Sequence, residues 1–167
     1  MPKRSSSRNE KEVLTYEQAR EVPELVRFAT GRMPNYVESV AGATEFVQLR
    51  AKANEWGLPL VLVFSDKAGG QSSSTLRALS AEFRRRVLIG ELRATRHAAA
   101  VAAYKVTSFP TLVCLAARGP GDAADMADEE RSRFAGKQPT FRRLLTFIEK
   151  CALRKPVLRK PSSKEEL

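Results

Sequence analysis

The sequence is poor in the residues that carry most catalytic and metal chemistry. Its 167 residues contain two cysteines, Cys114 and Cys151, and a single histidine, His97. This set supplies neither a Cys-x-x-Cys pair nor a cluster with metal-ligand spacing, so no metal site is expected. We interpret both cysteines as buried small apolar residues, with a disulfide between them as the minor alternative. His97 is expected at the surface or at the boundary of the core, not as a catalytic base.

Long apolar runs are also absent. No segment is apolar over the length needed to cross a bilayer. Residues 1–12 are polar, basic and serine-rich, which predicts disorder and shows no signal peptide. The formal net charge of +10 would suit nucleic acid or another acidic partner. The basic residues are scattered, with few aromatic residues between them, so we expect a solvated surface and no nucleic-acid binding.

What the sequence does contain is the apolar patterning of one α/β domain. Residues 58–64 form a continuous apolar run, typical of a central strand buried on both faces. Residues 36–40 alternate like a short edge strand. Further strands are predicted at residues 87–92, 112–116 and 131–134, and helices at 21–32, 43–56, 72–83, 95–103 and 140–153. Ser72, Ser73 and Ser74 are suitable N-cap residues for the helix that they open.

The most informative stretch is residues 104–115. An alanine-rich helical run leads into a tight loop, and Pro110 then opens a strand, where its missing N–H costs no ladder bond. The pattern Tyr-x-Val-x-x-Phe-Pro-Thr-Leu resembles the cis-proline loop of thioredoxins and protein disulfide isomerases. The resemblance covers residues 34–153 and implies a thioredoxin-like α/β fold, with a mixed central β-sheet and helices on both faces. It also implies a cis Phe109–Pro110 bond facing residues 65–71; an ordinary trans proline is the alternative.

The redox chemistry of that family is missing from the sequence. Its enzymes place a Cys-x-x-Cys pair between the central strand and the following helix, whose N-terminus activates the attacking thiol. The matching window, residues 65–74, contains no cysteine, and residues 58–64 lack the buried carboxylate that family members often carry. A serine nucleophile in residues 72–74 would need an adjacent base. The resemblance therefore implies a domain that is not an enzyme and needs no cofactor.

A peptide-binding surface remains as the candidate site. In thioredoxin-like proteins the cis-proline loop exposes backbone groups that can pair with an extended peptide. The candidate residues are Thr107, Ser108, Phe109 and Pro110 in the cis-proline loop, with Asp66, Lys67, Gly69 and Gly70 in the loop opposite. The alternative is a vestigial face, or one that a neighbouring domain covers.

Two segments flank the predicted domain. Residues 1–33 are expected to hold a polar leader and a helix whose residues 25–28 resemble residues 144–147 of the last helix. This first helix is either the end of a preceding thioredoxin-like domain or a helix that packs on the same domain. Residues 154–167 are expected to form a basic, flexible, proline-broken tail. The tail ends in Lys164, Glu165, Glu166 and Leu167, which resembles the Lys-Asp-Glu-Leu signal for return to the endoplasmic reticulum.

Residues 33–37, 62–67 and 79–83 most resemble the redox-silent thioredoxin-like domains of some J-domain (DnaJ) proteins of the endoplasmic reticulum. This implies a redox-inactive module of a chaperone or disulfide-isomerase-like protein in the lumen of that organelle. Its partners would be client polypeptides, or an Hsp70-type chaperone through a J-domain that these residues do not include. The alternatives are a divergent thiol oxidoreductase using one cysteine or a partner domain, and a basic nuclear or cytosolic interaction protein.

Overall fold

The computed structural model describes residues 15–17, 20–118, 130–136 and 138–158, and the chain divides into two units, residues 1–33 and 34–167. The first unit contains helix α1 (Val22–Arg32), close to its predicted bounds. Phe28 of α1 packs edge-on against Tyr16, with ring centroids 5.0 Å apart. No side chain of α1 is buried. The polar leader predicted at residues 1–12 lies outside the described residues.

The described part of the second unit contains a five-stranded sheet and four helices. The strands are β1 (Val37–Val40), β2 (Leu60–Ser65), β3 (Leu88–Arg93), β4 (Thr111–Leu115) and β5 (Glu130–Ala135). The helices are α2 (Ala43–Glu55), α3 (Ser74–Glu82), α4 (Ala98–Ala103) and α5 (Phe141–Cys151). The order across the sheet is β1-β3-β2-β4-β5, with β1, β3 and β2 parallel and β4 and β5 each antiparallel to their neighbours. The predicted order of elements is confirmed, with β1 at an edge and β2 in the centre.

Helices cover both faces of this sheet, because successive side chains of a strand point to opposite faces. On one face Leu62 and Leu92 form a core cluster with residues of α2 and α4. On the other face Val63 and Ile89 form a second cluster with residues of α3 and α5. Alternation along β3 therefore places Leu88 and Leu92 in the first core and Ile89 in the second.

A disulfide between Cys114 of β4 and Cys151 of α5 crosses the second core. Their Cα atoms are 6.1 Å apart, within the usual range for a bridged pair, and both side chains are buried. The interpretation of the cysteines as two separate apolar residues was therefore wrong, although their predicted burial is confirmed. The two cysteines are 37 residues apart in the sequence, so the sequence pattern did not indicate that they are paired. They come together because α5 packs against β4.

His97 is buried, and the expected surface or boundary position is wrong. Its Nε2 lies 2.9 Å from the carbonyl oxygen of Val40, the last residue of β1. The ring therefore provides a hydrogen-bond partner at the end of an edge strand. Residues 94–96 form a turn before this histidine, so α4 is shorter than predicted.

The chain stays packed on the domain beyond α5. The N–H groups of Leu153 and Val157 donate to the carbonyl oxygens of Arg86 and Arg85, at 2.9 and 2.8 Å. Val157 is also half-buried against the first core. The domain thus extends past the predicted boundary at residue 153, at least to Val157.

Candidate functional site

The cis-proline loop, residues 107–110, connects α4 to β4. The Phe109–Pro110 peptide bond is cis, as predicted. The Thr111 hydroxyl donates to the carbonyl oxygen of Ser108 at 2.6 Å and closes the turn. Thr107 and Ser108 are exposed, and Phe109 keeps 37% of its surface exposed. The loop therefore exposes an aromatic ring at the surface.

The facing loop, residues 66–71, follows β2 and is exposed throughout. Its first turn is closed by a hydrogen bond from the N–H of Lys67 to the Ser65 hydroxyl, 3.2 Å long. Gly70 has a φ of 92°, in the left-handed region that glycine adopts without steric cost. The glycine therefore allows the loop to turn back towards α3.

Arg93, at the end of β3, holds the facing loop in position. One terminal nitrogen of its guanidinium donates to the carbonyl oxygens of Lys67 and Gly69, both at 3.2 Å. The other donates to the carbonyl oxygen of Gly70 at 2.7 Å. The side chain is buried, and the planar guanidinium presents its donors in a fixed geometry. The sequence analysis did not predict this role of Arg93. The signal in the sequence was an arginine that follows directly after a predicted strand.

The two loops line one cavity of about 310 Å³. Pro110 lines it from the cis-proline loop, and Asp66 and Lys67 line it from the facing loop. The structure thus brings three of the eight predicted site residues together. The other five, which do not line this cavity, are Thr107, Ser108, Phe109, Gly69 and Gly70.

Glu91 of β3 contributes a buried carboxylate to the same cavity. Its side chain is 2% exposed, and the Ser72 hydroxyl donates to its Oε2 at 2.6 Å. The central strand indeed lacks a carboxylate, but Glu91 is the register partner of Val63 on the neighbouring strand. Considering the central strand alone therefore missed this group. The signal that could have identified Glu91 was a charged residue within a strand that was predicted to lie between two layers of helices.

The three serines before α3 have distinct roles. Ser73 is the N-cap, and its hydroxyl accepts a hydrogen bond from the N–H of Leu76 at 3.2 Å, as expected for this segment. Ser72 is buried and does not line the cavity, so its geometry does not support a nucleophile there. Ser74 begins the helix and is exposed.

Thiol and metal groups do not reach this site within the described part of the chain. Both cysteines lie in the disulfide, with exposures of 0% and 4%. Among the described residues, no three His, Cys, Asp or Glu side chains are grouped as a metal site would require. The described helices include none that is long and apolar enough to cross a membrane. Lys164, Glu165, Glu166 and Leu167, the predicted retention signal, lie outside the described residues.

Comparison with solved structures identifies the architecture. The thioredoxin NaTrxh of Nicotiana alata matches with a TM-score of 0.52 at 17% identity, over 71% of this chain and 95% of its own. The germline-specific thioredoxin Deadhead of Drosophila melanogaster matches with a TM-score of 0.53 at 20% identity, over 67% and 96%. ERdj5, form II, matches with a TM-score of 0.59 at 17% identity, over 92% of this chain and 20% of its own. No protein-family model and no curated protein sequence matches the chain. The chain therefore has a thioredoxin-like fold.

Proposed function

We propose that this chain is a redox-inactive, thioredoxin-like module of a chaperone or disulfide-isomerase-like protein of the endoplasmic reticulum, and that it binds extended client polypeptides. The observation that carries this proposal is a cis-proline loop and a second loop that line one cavity, with no cysteine in residues 65–74, between β2 and the start of α3. These features support a role in peptide binding without thiol chemistry.

Backbone groups of the cis-proline loop support the binding role. Among the described residues, the N–H groups of Thr107, Ser108 and Phe109 donate no hydrogen bond. All three residues are exposed, which supports a role in pairing with a partner. An extended peptide laid along the loop would pair with them as an added strand, and the Phe109 ring would pack against its side chains.

The position of the two cysteines supports the absence of redox activity. An attacking thiolate must be accessible, and helix N-termini favour its formation. Here the N-terminus of α3 carries Ser73, while Cys114 and Cys151 are bridged in the core. An oxidoreductase that uses a single cysteine of this chain would require one of these two buried sulfurs to become accessible, whereas one that uses a partner domain would not.

A binding measurement tests the proposed face. A fluorescent, reduced and carboxymethylated polypeptide serves as the unfolded client, and Phe109→Ala is expected to weaken its binding by about tenfold, typical of an aromatic anchor. Val47→Ala on α2 is the matched control, because Val47 is also an exposed apolar residue, at 65%. Equal binding by the wild type and Phe109→Ala would place the client elsewhere.

An insulin-reduction assay separates the proposal from the oxidoreductase alternative. The wild-type chain should not accelerate reduction, because no accessible thiolate is present. Acceleration that disappears in Cys114→Ala or Cys151→Ala would instead favour the enzyme.

We also propose that α1 is the last helix of a preceding thioredoxin-like domain. The contact of Phe28 with Tyr16 parallels that of Phe147 in α5 with Phe134 in β5, whose ring centroids lie 5.9 Å apart. Residues 34–167 are about four fifths of the chain, so the likeness to ERdj5 over 92% extends into residues 1–33. An Hsp70-type chaperone would be a partner only through a J-domain elsewhere in a longer protein.

The lumen of the endoplasmic reticulum is the proposed location. The ending Lys164-Glu165-Glu166-Leu167 resembles a retention signal, and a core disulfide suits an oxidising compartment. With an added signal peptide, the intact chain should stay in the cell. Two residues added after Leu167 should release it into the medium, because the receptor binds a free C-terminus. Equal secretion of both forms would show that these four residues do not act as a retention signal.

A further inference from the structure

We propose that the cavity beside the cis-proline loop accepts a lysine or arginine side chain of the bound peptide, with Glu91 as its anionic partner. This inference rests on the proposed function, and it names the chemical class of peptide that the site selects.

The charge balance around Glu91 is the first argument. Among the described residues, the one hydrogen bond to its carboxylate comes from the neutral hydroxyl of Ser72, and no cation lies within 4.0 Å. An ionised carboxylate that is removed from water without a cationic partner is costly. Glu91 is 2% exposed and still borders the cavity, so a cation entering the cavity could pair with it.

The other charged groups near Glu91 do not neutralise its carboxylate. Arg93 lies two residues along the same strand, but its guanidinium donates to three carbonyl oxygens of the facing loop. Lys67 and Asp66 lie on the exposed loop, where water screens their charges. The cavity lining thus includes two exposed side chains of opposite charge and one buried carboxylate.

The walls of the cavity fit the stem of a long cationic side chain. Val63, Leu76, Leu112 and Leu144 line it with apolar surface, and all four are buried. The methylene groups of lysine or arginine pack favourably on such walls while the charged head reaches an anion. A glutamate would instead meet a carboxylate of like charge, and an apolar side chain would leave Glu91 unpaired.

The position of Pro110 connects the cavity to the peptide. Pro110 lines the cavity, and the residues before it expose the backbone groups proposed to pair with the client. In an extended peptide every second side chain points towards the surface on which the peptide lies. One such side chain would enter the cavity next to Pro110.

The first experiment uses an extended host peptide in which one lysine is moved through successive positions. At the position of tightest binding, norleucine and glutamate then replace it. Wild type should bind the lysine peptide at least about tenfold more tightly than the norleucine peptide, as expected for a charge-assisted contact. In Glu91→Gln, which keeps a hydrogen-bond acceptor for Ser72, this preference should fall below about twofold. Glu45→Gln on α2 is the control, because Glu45 is an exposed carboxylate that does not line the cavity, and it should keep the lysine preference.

A second measurement separates the cation site from peptide binding. n-Butylammonium chloride should shift the amide NMR signals of Leu76, Glu91 and Leu112 in the wild type, and n-butanol should not. If n-butylammonium shifts these signals but no peptide binds, the proposed peptide-binding function is wrong and the cation site is still supported. Peptide binding without a lysine preference, a preference that survives in Glu91→Gln, or the absence of butylammonium shifts would overturn the inference.

Discussion

Breaking the Cys114–Cys151 bridge should lower the free energy of unfolding by an amount that the structure allows us to calculate. The bridge joins residues 37 positions apart. For a loop of this length, the chain-entropy relation gives a loss of about 4 kcal/mol at 25 °C. Each Cys→Ala change also removes a buried sulfur, which costs roughly 1 kcal/mol by analogy with a buried methylene group.

A double-mutant cycle distinguishes a bridge from two independent thiols. Cys114→Ala and Cys151→Ala each break the same bond, so each should cost roughly 5 kcal/mol, and the double variant roughly 6 kcal/mol. The single effects therefore should not add, as expected for residues in direct contact. Two unbridged buried thiols would instead cost about 1 kcal/mol each and about 2 kcal/mol together.

Urea unfolding, followed by the fluorescence of Trp56, provides the measurement. With a slope of about 2 kcal/mol per molar urea, loss of the bridge should shift the midpoint by about 2 M. Reduction of the unfolded wild type before refolding should produce a similar shift, and Val47→Ala should produce almost none. Small, additive losses in the three cysteine variants would refute the bridge.

A loss of 4 kcal/mol would be a large part of a typical domain stability of about 5–15 kcal/mol, so folding would favour an oxidising compartment.

Two further predictions concern packing and the facing loop. Gly90→Ala should lower the free energy of unfolding by about 1–3 kcal/mol in the same urea assay, because the added Cβ would lie 2.3 Å from Cδ2 of Leu49. Gly69→Ala is the control and should lower it far less, because no atom lies within 4 Å of the added Cβ. Equal losses of stability in the two variants would contradict this packing. Arg93→Lys should speed amide hydrogen exchange in residues 66–71 and leave β2 protected, because an ammonium group cannot reproduce the planar guanidinium's contacts with three carbonyl oxygens. Unchanged exchange in the loop would show that Arg93 does not hold it.

The sequence by itself determined the order of elements and the cis-proline loop. The order of elements depends on local patterns, because burial on one or both faces produces a periodicity that a short window of residues displays. The cis-proline loop was predicted from the resemblance of its residues to the loop of the thioredoxin family. The continuous apolar run of β2 therefore indicated a central strand, and the Phe109–Pro110 motif indicated the loop that opens β4. The sequence likewise predicted that one of three adjacent serines caps α3, and Ser73 does so. This was possible because an N-cap interacts only with residues of the first turn of its helix.

Only the tertiary structure decided which distant residues share a site. Glu91 enters the cavity because β3 lies beside β2 in parallel register, which places it next to Val63. Cys114 and Cys151 meet because α5 packs back against β4. Arg93 contacts the facing loop for the same reason as Glu91: the C-terminal ends of two parallel strands lie side by side. Such neighbours depend on strand order, register and helix packing, and a one-dimensional pattern of hydrophobicity does not specify these pairings.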